Sequence, residues 1–206
     1  MKKVLQLSSY VGWLVAILGG TAVAISVLQL NGNHNEVCNY VQRILWILLP
    51  LLQLGFWSYF CTQSEIQSPI FTPLILITAS LLLQLANVGA WSVIDFFSLY
   101  RDWELMSIIS NISTAVMIIM ILCLVVGMIW LSRFFSKDAR LKAITIAIPI
   151  LYIISPVVYY LAPLVASSDI YLQIHSYYNI FDSVATYSLW GTFYLLLSSL
   201  NNKQNN

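Results

Sequence analysis

The chain has 206 residues, 60% of them hydrophobic and 8% charged, with a net charge of +1. Soluble domains carry about 25% charged residues, so a chain this apolar cannot clothe itself in polar surface and lipid must be its solvent. The weak charge offers no basic field for nucleic acid, and Cys38, Cys61 and Cys123 form neither a disulfide framework nor a CxxC zinc ribbon.

A helix needs about 20 apolar residues to cross the hydrocarbon core. The first candidate span is 10–30. Along it Ser8, Gly12, Ala16, Gly20 and Ala24 recur at every fourth position, and such small-xxx-small stripes let helix backbones approach closely. The expected partner is another helix of this chain, a second copy or another membrane subunit. "MKK", an apolar run and "AVA" at 22–24 also resemble a secretory signal with its cleavage site. The apolar run continues past that site for a full span, which favours a retained helix.

The connection 31–42 contains "HNEVC", where His34, Glu36 and Cys38 alternate. In an extended segment they would share one side, and His175 could add a further ligand. HxExC is not a spacing that builds a zinc site mechanistically. The reading is a solvated loop, with no metal and no cofactor.

The second span is 43–61, with Pro50 inside and Gln53 as its deep polar group. The third is 70–92, where Gln84 and Asn87 share a helix face at i, i+3. These amides could bind a neutral solute or hydrogen-bond between helices. "RDWE" at 101–104 is a charged connection with Trp103 at headgroup level. The fourth span is 109–131, followed by the basic "SRFFSKDARLK" at 132–142.

The fifth span, 143–166, carries Pro149, Pro156 and Pro163 at intervals of seven residues. Seven residues are nearly two turns, so the three share a face. Each lacks an amide hydrogen and frees the carbonyl four residues earlier, those of Thr145, Tyr152 and Tyr159. In lipid those acceptors need partners, and proline-broken helices are where transporters build binding sites. Tyr152, Ser155, Pro156 and Tyr159, with Gln53, Gln84 and Asn87, therefore form the candidate polar pathway. "ILLPLL" at 47–52 and "IAIPIL" at 146–151 fall on helices two and five, as an inverted repeat of two halves would place them.

The stretch 169–182 reads as a short interfacial helix or an irregular loop. The sixth span, 181–200, is the least apolar, and 201–206 is a disordered polar tail.

Lys and Arg set the orientation. With the N-terminus inside, Lys2, Lys3, Arg133, Lys137, Arg140, Lys142 and Lys203 fall on the inner side, and only Arg43 and Arg101 fall outside. Trp13, Trp57 and Trp130 then lie near the inner interface, and Trp46 and Trp91 near the outer one. The expected fold is all-α: one polytopic membrane helix bundle over 1–200, with six transmembrane helices and both termini cytoplasmic. The expected setting is a bacterial cytoplasmic membrane.

Three functions follow from these residues. A permease-like or channel-like protein would use the fifth helix and the Gln53, Gln84, Asn87 set. A non-catalytic assembly subunit would use Gly12, Ala16, Gly20 and Ala24 as its contact. A membrane enzyme would have to use the outer set His34, Glu36, Asp102, Glu104 and His175, where nothing supplies an activated nucleophile.

Overall fold

The computed structural model describes residues 2–30, 36–97, 103–165 and 168–203, without the side chains of 2, 95–97, 159–160, 162–165, 168–176 and 201–203. All regular structure among the described residues is helical. The elements are α1 (Lys2–Leu30), α2 (Glu36–Thr62), α3 (Phe71–Phe97), α4 (Trp103–Ser132), α5 (Ala139–Val165) and α6 (Ser168–Lys203), with a 3-10 turn at Arg133–Phe135 between α4 and α5.

Helices α1 to α5 run 27 to 30 residues. At 1.5 Å per residue that is about 40–45 Å, the thickness of a bilayer with its headgroup zones. They exceed the expected spans because the amphipathic flanks stay helical beyond the apolar stretch. Each of the five holds a stretch long and apolar enough to cross a membrane, so the chain has the make-up of a multi-pass integral membrane protein.

α6 is not among those five. It has 36 residues, about 54 Å, but Asp182, Ser183, Thr186, Ser188 and Thr192 dilute its apolar character. The stretch 169–182 is helical rather than a loop. It is continuous with the sixth span, and no Gly or Pro interrupts 168–190.

α5 also differs from expectation. It runs unbroken through Pro149, Pro156 and Pro163. A proline removes only its own donor from the ladder, and membrane helices tolerate that loss where neighbours compensate.

The helices form a ring. Each packs on its neighbours in sequence, α6 closes on α1, and no other pair of helix backbones comes close among the described residues. Short connections make consecutive helices antiparallel. Polar ties mark the α1–α2 hairpin: Gln29 Nε2 donates to Asn39 Oδ1 at 2.6 Å, and Gln42 Nε2 to Ser26 Oγ at 2.8 Å. The α1–α6 seam is the most extensive and is antiparallel, with Gly12 beside Gly191 and Leu195 and Gly19 beside Tyr187. The start of α1 and the end of α6 therefore lie at one end of the ring. The exposed Lys3, Arg133, Lys137, Arg140 and Lys142 gather there, and we call it the basic end.

The seam uses only part of the small-residue stripe. Gly12 is buried against Gly191 and Leu195, but Ala16 lies only at the rim, near Gly191, and Gly20 and Ala24 are exposed. A four-residue repeat advances about 40° per step on a 3.6-residue helix, so it walks off a straight partner. The buried line is instead Val4, Ser8, Val11, Val15, Gly19, Ala22 and Ile25, close to the 3.5-residue spacing that keeps a seam facing its partner.

At the basic end the ring is filled. Phe56, Trp57 and Phe60 of α2 meet Trp190, Phe193 and Tyr194 of α6, with Phe135 from the 3-10 turn. Trp57 stacks on Phe193 at 5.7 Å, Trp190 on Tyr194 at 5.7 Å, and Phe56 meets Tyr194 edge-on at 5.0 Å, within the favourable range for aromatic pairs. Since α2 and α6 are not neighbours in the ring, these side chains bridge its centre. Trp57, expected at an interface, is fully buried, whereas Trp13, Trp46 and Trp103 are exposed.

Candidate functional site

Beyond the aromatic plug the ring is hollow. A cavity of about 420 Å³ is lined by five of the six helices, α1 contributing none. α2 supplies Trp46, Leu49, Pro50 and Gln53; α3 supplies Gln84 and Val88; α4 supplies Met117, Met120 and Ile121. α5 contributes Leu151, Tyr152, Ser155 and Pro156. α6 contributes Tyr178, Asn179, Asp182, Ser183, Thr186 and Tyr187.

Helical spacing explains the lining. On α5, Tyr152, Ser155 and Pro156 are separated by three and four residues and share a face, the face that nearer the basic end buries Leu141, Thr145 and Ile148. On α6, Asp182 and Thr186, four residues apart, continue the face that buries Trp190, Phe193, Tyr194 and Leu197. One interior stripe on each helix therefore changes from apolar to mixed polar partway along the ring.

The floor lies between Tyr152, Tyr187 and the plug. The Trp190 indole donates to the Tyr152 hydroxyl at 3.4 Å, and Gln84 also hydrogen-bonds Tyr152. Along α2 the exposure falls from 48% at Trp46 to 2% at Leu49 and 4% at Gln53, so Trp46 marks the rim and Gln53 the depth. Ser155 donates to the Asp182 carboxylate, while Asp182 Oδ1 and the Tyr178 hydroxyl are buried without a hydrogen-bond partner. Asp182 is the one charged side chain among the described lining residues.

Of the residues selected from the sequence, the cavity gathers Gln53, Gln84, Tyr152, Ser155 and Pro156. Asn87 does not line it. Its Oδ1 accepts from Ser113 Oγ at 2.7 Å, and Ser113 accepts from the Trp91 indole at 2.9 Å, so Asn87 ties α3 to α4. The Tyr159 side chain lies outside the described residues, and Pro149 is buried in the packed half.

Asp182, Tyr178 and Tyr187 also line the cavity, and the sequence alone does not mark them for a pathway. Asp182 stands near the start of the sixth span, where a carboxylate reads as an end group meeting water. The signal in the chain was its spacing from Thr186 on one helical face, an i, i+4 pair. That spacing does not reveal that α6 continues for fourteen residues before Asp182.

Of the remaining candidates, the outer set, only Glu36 and Glu104 have described side chains. Glu36 and Glu104 are exposed in the first turns of α2 and α4. His34 and Asp102, and the side chain of His175, lie outside the described residues. Among the described residues no three of His, Cys, Asp and Glu come together as metal ligands would.

Comparison of the chain with family models, with curated proteins and with solved structures finds no match in any of the three.

Proposed function

We propose that this chain is a six-helix, permease-like or channel-like protein, one transmembrane domain with both termini cytoplasmic, whose solute pathway runs beside α5. The observation that carries the reading is the hollow half of the ring, with polar groups converging at its floor. Ligand sites are typically concave, largely apolar cavities of about 300–1,000 Å³ with a few placed polar groups. A bundle whose only role was assembly would have no use for an interior polar lining of this kind.

Sidedness follows from the positive-inside rule. With the basic end in the cytoplasm, the cavity faces the opposite side and the aromatic plug closes the cytoplasmic side. Passage of a solute then requires the α2–α6 aromatic contacts to part. The sixth helix crosses despite its polar residues because Ser183, Thr186 and Gly191 are turned into the ring, and a bundle interior accepts groups that lipid rejects.

The test is thiol reactivity in sealed membranes. Ser155→Cys and Thr186→Cys, both lining the cavity, should react with a small hydrophilic thiol reagent added from the non-cytoplasmic side, and Thr145→Cys in the packed half should not. Inert thiols at both lining positions would remove the solute pathway and leave the assembly subunit as the better reading.

A further inference from the structure

The chemistry of the cavity selects a class of solute. Among the described side chains its lining holds a carboxylate, several aromatic rings and aliphatic or Met side chains, and no Lys, Arg or His. The carboxylate of Asp182 is half satisfied: Ser155 donates to it, and Oδ1 is buried with no partner. The Tyr178 hydroxyl, four residues earlier on the same helix face, is buried and also without a partner.

A buried carboxylate oxygen without a partner, on a residue that lines the cavity, calls for a hydrogen-bond donor, and best for a charged one. The rings of Trp46, Tyr152 and Tyr187 line the same cavity, and an aromatic face attracts a cation within about 6 Å of its centre. An anion would meet Asp182 with like charge. A small polyol would leave Leu49, Met117 and Met120 against polar groups. The lining therefore suits one charged head and an apolar body.

We propose that this cavity binds a monovalent organic cation, with an ammonium head held by Asp182 and Tyr178 and an apolar body lying among the aromatic and Met side chains. This deepens the solute-pathway reading and rests on it, because the cavity must first admit a ligand. Met side chains suit the role, being flexible and polarizable enough to follow bodies of different shape.

The experiment uses the purified full chain in lipid nanodiscs and three probes that share one body: phenylbutylammonium, phenylbutanol and phenylbutyrate. By titration calorimetry the ammonium should bind tighter than the alcohol by about tenfold or more, the margin of a charge-assisted hydrogen bond in a dry site. Asp182→Asn should erase that margin. Trp46→Leu, at the half-exposed rim, keeps the fold testable if Asp182→Asn unfolds, and should weaken the ammonium more than the alcohol. Equal or tighter binding of the alcohol or the carboxylate overturns the cation assignment and leaves the solute pathway standing. Binding of none of the three overturns the assignment too, and with inert thiols at Ser155→Cys and Thr186→Cys it removes the pathway as well.

Discussion

The indole nitrogen of Trp57 donates a hydrogen bond of 2.9 Å to the hydroxyl of Tyr194, joining residues 137 apart in sequence across the centre of the ring. Both side chains are fully buried. The polar atom of a buried Trp or Tyr usually finds a partner, and here each is the other's. Removing one leaves the other unmet, at about 1–3 kcal/mol. Tyr194→Phe should lower stability by that amount in reversible unfolding and Trp57→Phe by more, because it also leaves a cavity, and the double variant should lose less than the sum. Strict additivity would show that the two do not act as a pair.

The α1–α6 seam predicts opposite outcomes at adjacent glycines. A Cβ at Gly19 would lie 2.6 Å from the Tyr187 Cβ, whereas one at Gly20 would meet nothing within 4 Å. The Tyr187 Cβ cannot swing away as a side-chain tip can, so the helices must separate. Gly19→Ala should cost about 1–3 kcal/mol, the range for overpacking, and Gly20→Ala should be tolerated in thermal unfolding. Gly20→Leu then probes the outer surface of α1. Unchanged stability with a reduced oligomer size would indicate a second copy packed there.

The amides of α3 should separate by role. Asn87 accepts from Ser113, which accepts from Trp91, while Gln84 lines the cavity. Interhelical hydrogen bonds in membranes contribute about 0.6–2 kcal/mol. Asn87→Leu should lower stability by about that much without changing thiol reactivity at Ser155→Cys, and Gln84→Leu should change the reactivity. Equal effects of both on reactivity would place Asn87 in the pathway.

Sidedness is checked at Cys38, in the first turn of α2 at the end opposite the basic one. In intact cells an impermeant thiol reagent should label it from outside, and an added Ser136→Cys in the basic connection should stay unlabelled until the membrane is opened. The reverse pattern would invert the protein and turn the cavity toward the cytoplasm.

Hydropathy and charge, read from the sequence alone, determined that the chain is helical and apolar enough for a membrane, where five spans lie, and which connection carries the positive charge. These are local properties: a window of apolar residues inserts whatever its neighbours are. Tyr152, Ser155 and Pro156 could be marked for the same reason, because proline in lipid leaves a local debt of hydrogen bonds. Only the tertiary structure decided that Gly19 rather than Gly20 meets α6, since a small-residue repeat does not say which way its face turns. It also decided that Trp57 fills the ring rather than anchoring it at an interface, that Asn87 leaves the cavity to Gln84, and that Asp182 enters it. Each of these depends on the rotation of one helix about its axis against partners far away in sequence, and in an apolar background many rotations carry nearly the same hydropathy.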